Sequence, residues 1–182
     1  MEMETEMEEE RSAQLVRRGE RLSFLLRHDK DYDLYKGGWR KIADLVENHG
    51  YTFDELCEIV DTDDKGRYEL SDDRSRIRAL YGHSVKVDLE LEAAVPPAVL
   101  YHGTARHFVD SIRKGGIQRK SRCYVHLSPT VETAVQVGKR HGEPVVLEIA
   151  ARQMHEDGIS VYPIRNGMWL VEYVDTKYLM NV

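Results

Sequence analysis

Residues 39–60, WRKIADLVENHGYTFDELCEIV, decide how the N-terminal half is read. Trp39, Ile42, Leu45 and Val46 recur at helical spacing among charges, and Gly50 stands where a helix would stop in a left-handed turn. Two residues on, Thr52 and Glu55 have the spacing of a capping box, and Phe53, Leu56, Ile59 and Val60 supply a second apolar stripe. The stretch predicts two consecutive helices, the first taking in WRKIADLVENHG and the second ending before the polar DTDDKG turn.

Upstream, Leu15, Leu22, Phe24, Leu25 and Leu26 predict an amphipathic helix from Ser12 to His28, closing on SFLLRHD at 23–29. Downstream, RYEL at 67–70 and HSVKVDL at 83–89 alternate as short strands do, on either side of SDDRSRIRA. Three helices followed by a two-stranded β-element is the pattern of a winged helix, which by itself assigns no function. AAVPPAV at 93–99 marks the boundary, because adjacent prolines stiffen a connection and cannot continue a helix. Beyond it come VLYHGT, a helix around RHFVDSIRKGG, a strand in CYVHLS, a helix from Pro129 to His141, a strand in PVVLEIA and strands around ISVYP and MWLVEYV. The expected class is α+β: an acidic disordered tail over 1–11, a winged-helix lobe over 12–94 and a mixed α/β lobe over 95–182.

The chain has 182 residues, 41% of them hydrophobic, enough to bury a real core. No apolar run reaches the roughly 18 residues of a membrane span, and the N-terminal MEMETEMEEE carries glutamates where a signal peptide needs positive charge, so a cytoplasmic protein without membrane association is expected. Cys57 and Cys123 form no C-x-x-C, which predicts neither a disulfide nor structural zinc. The formal charge is −6; removing the six glutamates of the first ten residues from the 32 acids leaves 26 against 26 Lys and Arg. A neutral body argues against sequence-blind wrapping of nucleic acid, which needs many phosphate contacts, yet permits a focused cationic pocket.

The familiar phosphate-binding glycine loops, G-x-x-x-x-G-K-[ST] and G-x-G-x-x-G, are missing, as is H-E-x-x-H. HGE at 141–143 lacks the downstream P-C-x-x-C of a zinc deaminase. Four short strings remain: LLRHD, IRALYGHS, YHGT and RCYVHLS. Each alone has an ordinary reading. Arg27 and His28 suit the carbonyl end of a helix dipole, and Arg76 and Arg78 suit a solvated strand face. His102 suits a core histidine and Gly103 a turn. Alternation in RCYVHLS places Arg122, Tyr124 and His126 on one side of a strand and Cys123, Val125 and Leu127 on the other.

Taken together and in order, LSFLLRH, GGW, IRA-x-x-GHS, YHGT, R-x-x-V-H-L-S, T-A-x-x-V-G-x-R-H-G at 133–142 and NG-x-W-L at 166–170 carry a specific resemblance. From about Leu22 onward the chain resembles the RNA 2′-phosphotransferases of the KptA type. The resemblance implies an N-terminal winged-helix lobe and a C-terminal ADP-ribosyltransferase-like lobe that binds NAD+. It implies removal of an internal RNA 2′-monophosphate in two steps: the phosphate attacks C1 of the nicotinamide ribose, releasing nicotinamide, and the adjacent ribose hydroxyl then displaces the RNA. The products are 2′-hydroxyl RNA, ADP-ribose 1″,2″-cyclic phosphate and nicotinamide.

The resemblance carries the family's Arg-His-Arg-Arg set onto Arg27, His28, Arg78 and Arg122, with Arg78 rather than Arg76 taken from the IRA match. It places His83 and Ser84 at the RNA, and His102, Gly103, Thr104, His126 and Ser128 at NAD+, with no metal. Tyr81 and Tyr124 depart from the glutamine and histidine that the family often has there, and Met168 and Trp169 stand where protein-modifying ADP-ribosyltransferases place a glutamate. The chemistry suits the residues. A phosphomonoester with about −1.5 to −2 charge is already nucleophilic, so the first step needs positioning, for which an arginine fork is well shaped. Proton traffic belongs to the second step, where His28 alone of the four titrates near neutrality. No obligate protein partner is implied. Two other readings stand beside this one: an ADP-ribosyltransferase that stops on a terminal nucleic-acid phosphate, and a non-enzymatic winged-helix protein. The acidic TFDELCEIV helix, a poor major-groove reader, argues against the latter.

Overall fold

Helix α1 spans Glu2–Arg27 in a computed structural model that describes residues 2–182. The acidic segment expected to be a disordered tail is therefore helical. Glutamate and methionine are good helix formers, carboxylates are favoured at the positive end of the helix dipole, and Arg11 bonds Glu58 at 3.1 Å. Leu22, Leu25 and Leu26 are buried, whereas Phe24, expected on the same apolar face, is 54% exposed.

WRK is not the first turn of the second helix. Trp39–Lys41 form strand β1, and α2 follows over Ile42–His49 and α3 over Phe53–Asp61. Strands β2 (Tyr68–Leu70) and β3 (Arg76–Ala79) complete an antiparallel sheet of order β1-β3-β2, with Trp39 opposite Arg78 and Glu69 also opposite Arg78. This ladder satisfies the backbone groups of residues 39–41, and α2 then ends as expected at Gly50, whose φ of 68° is left-handed and whose N–H donates to Leu45 O. Thr52 accepts the Glu55 N–H at 3.1 Å, half of the capping box. The other half is absent because the Glu55 carboxylate is taken by Arg18 of α1, at 2.5 Å from Nε. HSVKVDL forms no strand; its place in the sheet belongs to RIRA. Ser84 and Val85 instead donate their N–H groups to Arg27 O, and Asp88 O accepts the Gly37 N–H at 2.7 Å.

The chain divides into two compact units between Leu89 and Glu90. The core of the first is built on Leu22, Leu26, Leu45, Leu56 and Ile77. AAVPPAV, read as the boundary, is fastened to the second unit: Arg152 Nε donates to Pro96 O at 2.8 Å and the Ala94 N–H to Val161 O at 3.1 Å.

The second unit begins with β4 (Leu100–Ala105), followed by a short 3-10 turn, α4 (Val109–Gly115), β5 (Ile117–Gln118), β6 (Val125–Leu127) and α5 (Val131–Gly138). Then come β7 (Pro144–Ile149), α6 (Ala151–Glu156), β8 (Tyr162–Pro163), β9 (Trp169–Val171) and β10 (Tyr173–Val174). β4 and β7 pair antiparallel from Leu100–Ile149 to Ala105–Pro144, and β6-β9-β8 form a second sheet. A bridge between Tyr101 and Ser128 joins β4 to β6. Leu100, Leu127, Leu147, Ile149 and Met154 fill the core. The α+β class expected from the alternation is what the chain forms: mixed helices and several small sheets. Among the described residues no helix is long and apolar enough to cross a membrane.

Candidate active site

Arg27 is the last residue of α1 and His28 follows it directly. A helix end ordinarily exposes carbonyls, a negative pole unsuited to an anion. Here those oxygens have protein donors: Phe24 O accepts the His28 N–H at 2.8 Å, Leu25 O accepts Arg40 Nη1 at 2.9 Å, and Arg27 O accepts the amides of Ser84 and Val85 at 3.0 and 3.3 Å. Beside them stands the Arg27 guanidinium, which donates to Ser23 Oγ at 3.0 Å and lies 5.0 Å from the centre of the Tyr81 ring. Ser84 Oγ is 2.7 Å from His28 Nδ1.

Gly82 is needed for this packing. Its φ is +86°, and a Cβ there would stand 3.3 Å from Arg27 Cζ. His83, expected at the RNA, is 1% exposed, and its Nε2 lies where a Cβ on Gly38 would come within 3.4 Å. It belongs to the interior of the unit, whereas Ser84 is exposed.

Arg78 sits on the sheet with an acidic partner. Its Nε donates to Glu69 Oε2 at 2.8 Å and its Nη1 to Gly37 O at 3.1 Å, and its Cζ lies 4.4 Å from the Trp39 ring centre. Arg76, one strand step away, is exposed. Gly37 belongs to the GGW string, but the partner Glu69 lies outside the matching strings, and only the cross-strand register Glu69–Arg78 could have found it.

Arg40 was equally silent in the sequence. It is 2% exposed and binds Leu25 O, Asp29 at 2.8 Å, Asp44 at 2.7 Å and His49 Nε2 at 3.0 Å, with the Tyr32 ring 3.9 Å away. Burial works against ionised Asp29 and Asp44, but Arg40 on both, Asn48 on Asp44 and the Asp31 amide on Asp29 bring their pKa values below the ordinary carboxylate range. Arg40 thereby ties α2 to the residues on either side of Arg27 and His28.

In the second unit, His102, Gly103 and Thr104 lie on β4 and His126 on β6, with Ser128 just after it. The His102 ring donates from Nδ1 to His126 O at 3.0 Å, and burial holds its pKa below the usual histidine value. Tyr101 and Ser128 exchange both backbone hydrogen bonds, at 2.9 and 2.6 Å, so by strand alternation the peptide groups of Gly103 face the β6 side as well. The other side of Gly103 is closed. A Cβ there would fall 1.8 Å from Ala134 O of α5, and one on Gly138 2.7 Å from Thr104 O. Gly103 is thus required by a helix lying directly on the strand. Thr104 and Ser128 are 5% and 1% exposed.

Arg122 does not share a strand with His126. β6 starts at Val125, and Arg122 is an exposed residue of the preceding turn, its N–H bonded to Arg119 O at 3.0 Å. Tyr124 packs edge-on against Tyr162, ring centres 5.9 Å apart. The positive φ of 53° at Lys120 marks the turn that the alternation pattern did not anticipate.

The sequence pattern of the RNA 2′-phosphotransferase, Tpt1 / KptA family matches residues 13–173. The chain belongs to that family. It is 46% identical to a probable RNA 2′-phosphotransferase of Pectobacterium atrosepticum, covering 88% of this chain and 94% of that protein. A protein of the same description from Rhodopirellula baltica is also 46% identical, over 91% of this chain and 95% of its own length. One from Nostoc punctiforme is 42% identical over 93% and 98%. The match spans both units, so Arg27 and His28 of the first and the β4–β6 strands of the second belong to one matched sequence.

Proposed function

We propose that the protein is an NAD+-dependent RNA 2′-phosphotransferase that removes an internal 2′-monophosphate from a tRNA-like RNA, acting in the cytoplasm. The observation that carries the reading is the Arg27–His28 pair, set at a helix end whose Leu25 and Arg27 carbonyls are taken by Arg40, Ser84 and Val85. The first unit serves as the winged-helix RNA-phosphate lobe and the second as the ADP-ribosyltransferase-like lobe. NAD+ is the co-substrate and supplies the electrophilic ribose C1. What supports this is that Gly103 has no side chain and turns its peptide groups to the β6 side, beside a His102 ring bonded to His126 O.

In this reading Arg27 and Arg122 neutralise and orient the transferring phosphate, each cation at about 4 Å contributing on the order of 4 kcal/mol gross at an effective dielectric near 20. Arg78 is the third arginine of the set, its guanidinium held in the first unit by Glu69 and the Gly37 carbonyl. His28 positions the phosphate and handles the proton that moves between ribose hydroxyl and departing RNA oxygen. The test is an oligoribonucleotide bearing one internal 2′-phosphate, incubated with and without NAD+. Release of 2′-hydroxyl RNA only with NAD+, together with a cyclic phosphate of ADP-ribose, is expected. Dephosphorylation without NAD+, or accumulation of an ADP-ribosylated RNA as end product, overturns the reading.

A further inference from the structure

Beside His28, within the first unit, lies a groove of about 660 Å³ lined by Arg21, Phe24, Tyr32, Asn48 and His49, with Arg40 in its floor. Phe24 is the unusual member. It is a large aromatic ring left 54% exposed on a helix whose other apolar residues near it, Leu22, Leu25 and Leu26, are buried. It stands one helical turn before His28, the two ring centres 6.1 Å apart. A second aromatic, Tyr32, lines the groove as well, held by the Arg40 guanidinium 3.9 Å from its ring centre.

Three carboxylates also line the groove, Asp29, Asp44 and the exposed Asp31. Arg40 engages Asp29 and Asp44 at once, so these two carboxylates do not present unbalanced negative charge to an approaching RNA strand. Arg21 adds a cation, and the exposed Asn48 side chain donates to Asp44 from Nδ2. An aromatic face beside a cation, opening next to a phosphate-handling histidine, has the chemistry of a single-stranded RNA site, where unstacked bases lie on aromatic side chains.

We propose that this groove binds the nucleobase adjoining the 2′-phosphorylated ribose, stacked on Phe24. The proposal rests on the RNA 2′-phosphotransferase reading and deepens it by naming what holds the RNA apart from its phosphate. Because Phe24 is exposed, its truncation leaves the fold intact, and a thermal melt checks this.

The experiment compares wild type, Phe24→Ala and Phe24→Trp on an oligoribonucleotide with one internal 2′-phosphate, and on two versions lacking the base on either side of the modified ribose. Phe24→Ala is expected to raise KM for the RNA about ten-fold, within the range of one lost base–aromatic stack, with a much smaller change in kcat, and Phe24→Trp to restore it. On one of the abasic substrates the wild-type KM rises equally and the alanine variant adds nothing. An unchanged KM for Phe24→Ala, or an equal penalty on all three substrates, overturns the proposal. If wild type fails to dephosphorylate the RNA at all, the functional reading fails by itself. The groove is then judged by fluorescence-anisotropy titration of a labelled oligoribonucleotide: weaker binding by Phe24→Ala supports it, and equal binding refutes it.

Discussion

Ser84 touches the end of α1 twice, with its amide on Arg27 O at 3.0 Å and its hydroxyl on His28 Nδ1 at 2.7 Å. One residue thereby holds both the backbone of the arginine and the Nδ1 side of the histidine ring. Ser84→Ala keeps the amide bond and removes the hydroxyl. A hydrogen bond of this kind is worth about 0.5–1.5 kcal/mol net, so kcat is expected to fall roughly 2- to 10-fold with little change in the melting temperature. Ser84→Thr, which retains the hydroxyl, should recover most of the rate in the same single-turnover assay.

Arg78 and Arg76 are separated by their partners. Arg78→Ala strands Glu69 and frees the Gly37 turn, and is expected to lower both stability, by about 1–3 kcal/mol, and turnover. Arg78→Lys keeps the charge but cannot fork between Glu69 and Gly37, so it should rescue neither fully. Exposed Arg76→Ala should shift urea unfolding by less than about 0.5 kcal/mol. A larger loss of activity in Arg76→Ala than in Arg78→Ala would exchange their assignments.

Glycine substitutions distinguish fold from site. Gly103→Ala drives a methyl into Ala134 O and is expected to destabilise the second unit by more than about 3 kcal/mol, read as loss of its cooperative transition. Gly82→Ala meets the Arg27 side chain at 3.3 Å in a left-handed backbone. Its signature should be a fall in kcat beyond that explained by any change in melting temperature.

Acid acts on the two units in different windows. Burial lowers the His102 pKa, so the unfolded chain takes up the proton first, and the stability this histidine contributes is complete above about pH 6.5 and declines as pH falls below it. In the first unit, the hydrogen bond from Arg18 lowers the pKa of Glu55, and Arg40 outweighs burial at Asp29 and Asp44. Their contribution is complete above about pH 4–5 and is lost as pH drops through the depressed values. Hydrogen exchange followed from pH 7 to pH 3 should show β4 and β6 loosening before α1–α3. The reverse order would contradict the assignment.

Local chemistry was legible where it was self-contained. Gly50 and Thr52 announced a helix stop and a helix start because each cap is closed by neighbours within a few residues. Trp39–Lys41 misled because helical spacing and a three-residue strand look alike when the pairing partner, Arg76–Arg78, lies far along the chain. HSVKVDL has the alternation of a strand, yet its Ser84 and Val85 amides donate to Arg27 O and its Asp88 carbonyl accepts the Gly37 N–H, a use no pattern predicts. Arg27, His28 and Ser84 were found and are brought together. Glu69 and Arg40 escaped notice because a charged residue reveals its importance only through burial and partners from other elements.

The backbone contact between β4 and α5 has a consequence for engineering. Where a strand and a helix touch through Gly103 and Gly138, there is no side chain to repack, and no compensating substitution nearby can absorb an added carbon. A saturation library of this chain should therefore be empty at those two positions and populated at Phe24, whose ring has open solvent to one side. The strand–helix seam of the second unit is the part of the scaffold that admits no revision.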